Sequence, residues 1–167
     1  MASIAAAPVR RLVAADLAAC VALSLDRDWG AEENKWSLLL EVAECFGVDA
    51  PGGGLAGAVV LGRYGSCLAS VGMMLVASRY GRQGLGLALM NHLLGQAGDA
   101  TVFLTATEAG RPLYRKVGFR TVGRSATFSG RFRPLAGDRP DETRAATGED
   151  VAAVVEVDSR AFGAARG

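Results

Sequence analysis

The sequence has little of what metal sites and disulfide frameworks require. It contains one histidine, His92, and three cysteines, Cys20, Cys45 and Cys67, which lie far apart and show no paired spacing. Neither a metal site nor a disulfide framework is therefore predicted. Free thiols are typical of a protein kept in a reducing compartment.

Long apolar runs are missing as well. No stretch of about 18 apolar residues occurs anywhere in the chain. The first twelve residues, MASIAAAPVRRL, lack the basic and apolar regions of a secretory signal. We therefore predict a cytoplasmic protein without a membrane partner.

An excess of charge of one sign is also lacking, since 18 basic residues face 17 acidic ones and the net charge is +1. The basic residues are 16 arginines and only two lysines, in a chain that is 50% hydrophobic and 21% charged. Such a composition is typical of globular proteins, and we expect no nucleic-acid partner. A length of 167 residues allows one domain of ordinary size and a fragment of a second.

Hydrophobic periodicity predicts a chain of alternating helices and strands. Apolar residues at helical spacing indicate two early helices, at 14–25 and 31–44, a third after Gly86, and a short fourth that ends at Gly118. About seven strands are expected, at 9–13, 45–48, 55–63, 66–76, 101–106, 119–123 and 125–132.

The stretch 71–86, VGMMLVASRYGRQGLG, joins an apolar strand to the third helix through a glycine-rich turn. Gly81, Gly84 and Gly86 have no side chains that block a ligand, and the N–H groups at a helix start are unpaired and partly positive. Arg82 adds a positive charge, unless it is an ordinary solvated arginine. The turn is therefore predicted to bind an anion such as a phosphate ester.

Two blocks of residues resemble the GNAT acetyltransferase superfamily. Residues 81–86, GRQGLG, are similar to its motif Q/R-x-x-G-x-G/A, with Gly81 where Arg or Gln is usual. Residues 107–119, TEAGRPLYRKVGF, are similar to its block N-x-x-A-x-x-L-Y-x-x-x-G-F, with Thr and Gly at the Asn and Ala positions. The resemblance covers about residues 8–132. It implies an α/β (α+β) fold, in which a mixed, mostly antiparallel sheet of about seven strands is flanked by helices and splayed at the cofactor cleft.

By this resemblance the co-substrate is acetyl-CoA, without a metal. The backbone groups of Leu75 and Val76 would hold its pantetheine part where two strands separate, because unpaired buried backbone groups demand partners. The alternative is that both residues are plain core strand. The remaining candidate cofactor contacts are Gly81, Arg82, Gln83, Gly84, Leu85, Gly86 and Thr107.

Tyr114 stands where the family's tyrosine donates a proton to the departing CoA thiolate. An ordinary thiol has a pKa near 8.5 and a phenol has one of about 10, so the expected help is modest. The alternative is that Tyr114 is a helix residue that covers the core.

The resemblance implies an N-acetyltransferase that moves the acetyl group directly to a primary amine of a small molecule or peptide. No residue identifies itself as the general base, so a non-catalytic acyl-CoA-binding or assembly domain is the alternative. A homodimer is compatible with either. The candidate residues of the acceptor pocket are Asp28, Trp29 and Glu33, and those of the base are Asp26, Asp28, Glu32, Glu33 and Glu41.

The chain divides into a GNAT-like domain at 1–132, a linker at 133–142 that is rich in Arg, Pro, Gly and Asp, and a final segment at 143–167. An offset of 134 residues places Arg10 on Arg144 and Asp16 on Asp150. We interpret the final segment as the beginning of a second, related domain, as in tandem-GNAT proteins. The alternative is a C-terminal helix packed on the first domain.

Overall fold

A computed structural model of the chain describes residues 3–131 and 143–163. By their contacts, these residues divide between Arg120 and Thr121 into two compact units. Within them, no helix combines the length and the apolar character that a bilayer crossing requires. The linker predicted at 133–142 lies outside the described residues, and the domain limits 1–132 and 143–167 stay a prediction.

The first unit is built on a five-stranded sheet in which neighbouring strands follow one another in chain order. The first four strands pair antiparallel and the fifth joins the fourth in parallel, which confirms a mixed, mostly antiparallel sheet. The strands are β1 (Arg10–Arg11), β2 (Glu44–Asp49), β3 (Leu55–Tyr64), β4 (Leu68–Val76) and β5 (Thr101–Phe103).

The prediction of seven strands was wrong for the described residues. Residues 119–131 contain none of the strands predicted at 119–123 and 125–132, and residue 132 itself lies outside the described residues. Val122 and Phe128 are 101% and 91% exposed. A strand forms only where a partner strand and a surface to bury are available, and the described part of the second unit contains no strand with which 121–131 could pair.

Helices and apolar residues lie on both faces of the sheet. Within β3, Ala58 and Val60 belong to one apolar cluster, and Val59 and Leu61 belong to the other. A strand buried on both faces is apolar at nearly every position, as residues 55–61 are, and such a run is easily recognised in the sequence. The α-helices of this unit are α1 (Leu17–Asp26), α2 (Glu33–Val42), α3 (Leu85–Ala97) and α4 (Arg111–Lys116).

The cluster under α1 and α2 contains one buried polar contact. The indole N–H of Trp36, on α2, donates to the hydroxyl of Ser24, on α1, at 2.7 Å. Cys20 and Cys45 are buried in the same cluster, and burial raises the pKa of Cys20 to about 12 and that of Cys45 to about 11. Both thiols are therefore protonated and unreactive at neutral pH.

The second unit contains α5 (Val151–Phe162), which follows a single 3-10 turn at Gly148–Asp150. In the segment before it, the guanidinium of Arg144 donates to both carboxylate oxygens of Asp150. The N–H of Thr147 donates to Asp150 Oδ2 at 2.8 Å. One carboxylate thus joins the chain before the turn to the start of α5.

Candidate active site

The far edge of β4 is open along its second half. The parallel ladder joins Leu68–Ser70 to Thr101–Phe103, whereas β4 continues to Val76. Beyond Ser70, no strand of the described residues pairs with this edge of β4. Backbone N–H and C=O groups along it therefore remain available to an extended ligand.

A β-bulge lies just beyond the point where β5 stops pairing. Val59 of β3 faces both Met73 and Met74, because the register between β3 and β4 shifts there. Met73 has a φ of 44°, a left-handed conformation that is unfavourable for a bulky side chain. Because a bulge bends and twists its strand, we attribute the separation of β4 from β5 to this residue pair.

The backbone direction at the end of β4 follows from one hydrogen bond. The N–H of Ala77 donates to the carbonyl of Ala56 at 2.9 Å, on the β3 side. Because backbone groups alternate in direction along a strand, the N–H and C=O of Val76 point to the open side and those of Leu75 point to β3.

The turn between β4 and α3 has two residues in the left-handed region. Gly84 has a φ of 85° and Arg82 one of 59°, whereas Gly81 has a φ of −58°, which every residue can adopt. No side chain caps the beginning of α3 at Leu85, so its first N–H groups are free for a ligand. The exposed guanidinium of Arg82 is paired with no carboxylate of the described residues.

Three other residues of the predicted phosphate site have structural contacts of their own. The side-chain amide of Gln83 donates to the carbonyl of Arg79 at 3.0 Å. Leu85 is buried in the core. A Cβ on Gly86 would lie 3.3 Å from Cδ2 of Leu113, so the absence of a side chain lets α4 lie close to α3.

Tyr114 lies on α4, half-buried, with its ring 6.0 Å from that of Phe119 in an edge-to-face arrangement. Burial raises its pKa above the ordinary value. None of the described residues hydrogen-bonds to the Tyr114 hydroxyl. Thr107 caps the turn before α4, where its hydroxyl accepts from the N–H of Gly110 at 3.2 Å.

Gly110 determines where the tyrosine ring can lie. A Cβ at this position would be 2.9 Å from Cε2 of Tyr114, which is closer than real Cβ atoms come. Alanine is usual at this position in the family block, so the ring can adapt to a single Cβ, and a β-branched residue is the sharper test. We expect Gly110→Val to displace the ring and lower the turnover rate of the reaction proposed below, with little change in the melting temperature. Steady-state kinetics and thermal unfolding check this. Gly95→Val is the control, because a Cβ at Gly95 meets nothing within 4 Å; equal rates in the two variants would contradict the prediction.

The three predicted residues of the acceptor pocket lie at or next to the loop between α1 and α2. Asp28 has a φ of 57° and is exposed. Trp29 is 42% exposed, and its backbone N–H donates to the carbonyl of Ser24 at 3.0 Å. Glu33 is the exposed first residue of α2. Among the described contacts, none connects these residues to Tyr114.

The other candidate bases have different surroundings. Glu32 forms an ion pair with Lys35 at 2.6 Å. Glu41 is exposed on α2. Asp26 accepts a hydrogen bond from the backbone N–H of Ser78 at 2.6 Å, which lowers its pKa. Its carboxylate is thus already engaged by the turn that leads to α3.

Sequence reasoning missed two features of this region. The first is the bulge at Met73, for which methionine gives no signal, since left-handed residues are usually glycine or asparagine. The second is the contact between Asp26 and Ser78, which lie 52 residues apart in the chain. Only the fold brings such residues together.

The open edge of β4, the uncapped start of α3 and the free hydroxyl of Tyr114 together suit an extended, phosphate-bearing ligand whose leaving group takes a proton. These features are typical of an acyltransferase. The profile of the acetyltransferase (GNAT) domain matches residues 43–132. The chain belongs to this family of N-acetyltransferases.

A known N-acetyltransferase is similar to the chain in sequence. The uncharacterized N-acetyltransferase YitH of Bacillus subtilis (strain 168) is 32% identical over 141 residues, which cover 83% of this chain and 49% of YitH. The chain thus spans about half the length of this curated relative.

Solved structures resemble the chain in fold. A putative acetyltransferase of Pyrococcus horikoshii has a TM-score of 0.68 at 21% identity, over 95% of this chain and 58% of its own. Rv2747 of Mycobacterium tuberculosis, solved in complex with CoA and NLQ, has a TM-score of 0.60 at 19% identity, over 73% of this chain and 76% of its own.

Proposed function

We propose that the first unit moves an acetyl group from acetyl-CoA to a primary amine of a small molecule or peptide, by direct attack of the amine on the thioester. The observation that carries the proposal is the open edge of β4, which leads to the uncapped start of α3. The CoA bound to the M. tuberculosis neighbour supports this choice of donor.

The residues suit two parts of acetyl-CoA, its pantetheine and its pyrophosphate. The backbone groups of Val76 can pair with the pantetheine amides in the way that a neighbouring strand would. The N–H groups that follow Gly84 suit the pyrophosphate, and the unpaired guanidinium of Arg82 adds a mobile positive charge.

The proposed chemistry assigns one proton transfer to the chain. The amine nitrogen forms a bond to the acetyl carbon, the carbon–sulfur bond breaks, and the departing thiolate takes the proton of the Tyr114 hydroxyl. Solvent then returns a proton to the phenolate. The acceptor amine must lose its own proton, and no single carboxylate of the described residues stands out as its base.

Calorimetric titration with acetyl-CoA, followed by thiol release in the presence of a panel of amines, tests the proposal. Binding together with amine-dependent thiol release is the expected result. Binding without release would favour a non-catalytic acyl-CoA-binding or assembly domain, and the absence of binding would overturn both proposals.

Two further proposals are that the protein is cytoplasmic and that it forms a homodimer. Cell fractionation tests the first, and analytical sedimentation tests the second.

We also propose that residues 143–163 begin a second unit of the same fold. The support is a repetition of geometry at an offset of 134 residues. Arg10 donates to both carboxylate oxygens of Asp16, as Arg144 does to those of Asp150. In each case a single 3-10 turn follows, and then a helix of 10 or 12 residues.

The same offset explains an apolar face on α5. Val154 and Val157 are 58% and 59% exposed, and they correspond to Cys20 and Leu23, which are core residues of α1. In a second copy of the fold, these valines would be covered by its own sheet. A helix that serves only as a surface element has no need of them.

Val154→Ser in the complete natural protein tests this second proposal. If the face is covered, burying a hydroxyl there should cost about 1–3 kcal/mol of unfolding free energy, measured by denaturant titration. The control is Ala152→Ser, which corresponds to the exposed Ala18. Equal stability of the two variants would contradict a second copy.

A further inference from the structure

The end of α1 is tied to the beginning of the phosphate-binding turn. Ser78 is the first residue of the 3-10 turn that follows β4. Its backbone N–H donates to Oδ2 of Asp26 at 2.6 Å, and its hydroxyl lies 2.9 Å from the same oxygen. Arg27 donates to the Ser78 hydroxyl at 2.9 Å. The last residue of α1 and the residue after it thus both hold Ser78.

The two segments joined in this way have different roles in the proposed reaction. Ser78 leads into the turn that ends at Gly84, where the pyrophosphate of the donor would lie. Arg27 begins the loop to α2, which contains the predicted acceptor residues Asp28 and Trp29. The contact is therefore a direct connection between the donor side and the acceptor side of the domain.

Among the described contacts, the loop on the acceptor side is otherwise fixed only at its α1 end, where the N–H groups of its first residues donate to the carbonyls of Ser24 and Leu25. Asp28 and Glu32 both have positive φ values, of 57° and 49°, and residues 25–31 are exposed. Exposed backbone with few packed side chains opens at low free-energy cost. The contact with Ser78 is therefore the part of this anchoring that depends on the turn before α3.

We propose that Asp26 is a positioning residue that transmits the binding of the donor at the turn to the acceptor loop. The inference rests on the proposed function. Acetyl-CoA that orders the turn holds Ser78 in place, and Asp26 and Arg27 then hold the loop in the conformation that the amine binds. Donor binding and acceptor binding should therefore be positively coupled.

Removal of the carboxylate should uncouple the two sites. In the full chain, we expect Asp26→Ala to raise the KM of the amine about tenfold, within the usual range of such coupling, while the affinity for acetyl-CoA changes much less. Asp26→Asn should restore most of the loss, since its side-chain oxygen can still accept from the Ser78 N–H. Ser78→Ala keeps that N–H and should have a smaller effect.

Three measurements distinguish the outcomes. Circular dichroism confirms folding, calorimetry gives acetyl-CoA affinity, and steady-state kinetics separates the KM of the amine from kcat. Asp99→Ala is the control, as an exposed aspartate without a side-chain partner among the described residues. If the wild-type chain fails to bind acetyl-CoA, the proposed function is wrong. If the wild-type chain binds and acetylates but Asp26→Ala matches Asp99→Ala in the KM of the amine, the role of Asp26 alone is overturned.

Discussion

Tyr114→Phe is expected to lower kcat by up to about 100-fold, no more than the low end of what a positioned proton donor contributes because a thiolate is a fair leaving group, while the affinity for acetyl-CoA stays nearly unchanged. The phenylalanine ring retains the packing against Phe119 and over Gly110. Only the hydroxyl is lost, and no described residue depends on that hydroxyl for a hydrogen bond. A change in rate without a change in binding would therefore report on proton transfer.

The pH dependence supplies a second readout for Tyr114. Burial raises its pKa above the ordinary value of about 10. A raised pKa keeps the phenol protonated to higher pH. Loss of this proton donor should therefore not lower the wild-type kcat at any pH up to about 9. Steady-state rates from about pH 6 to about pH 9 check whether the wild-type kcat stays constant, and calorimetric titrations over the same range check whether Tyr114→Phe keeps its affinity for acetyl-CoA. An unaltered kcat in Tyr114→Phe would show that the residue only covers the core.

The parts of the fold that the sequence predicts well are those with strong local patterns. The run predicted at 55–63 is apolar and buried on both faces over 55–61, and it became β3 (Leu55–Tyr64) with only one residue of difference. The helix after the glycine turn was also expected, although it begins at Leu85 and not after Gly86. Periodicity determines such elements without knowledge of their neighbours.

The errors fall where an element depends on a distant partner. Residues 119–131 were predicted to contain two strands, but they pair with no strand of the described residues. β5 stops at Phe103, although the apolar pattern continues to Ala106, and we attribute this early end to the bulge in β4. Neither the bulge at Met73 nor the contact of Asp26 with Ser78 has a local signal.

The departure of Gly81 from the family pattern has a simple structural meaning. Gly81 has an ordinary φ of −58°, so the backbone does not require glycine there. Gly84 has a φ of 85° and does require it. The motif therefore predicted Gly84, the glycine that the conformation of the turn requires. At position 81 the backbone conformation is one that other residues can also adopt.

The same substitution at both glycines separates these two cases. Gly84→Val should lower the affinity for acetyl-CoA about tenfold or more, because a β-branched residue in the left-handed region is strained by about 1–3 kcal/mol. Its Cβ would also lie 3.4 Å from that of Ala5, so that the start of α3 has to shift to accommodate the valine. Gly81→Val should lose less affinity for acetyl-CoA than Gly84→Val, since the φ of Gly81 suits valine. Its Cβ would make a tight contact of 3.3 Å with the Ser78 carbonyl oxygen, and the turn has to absorb this contact by a small shift. Calorimetric titration of both variants, with thermal unfolding to confirm that each is folded, gives the comparison. Equal losses of affinity would mean that the turn rearranges on binding and that Gly84 does not control access to the first N–H groups of α3.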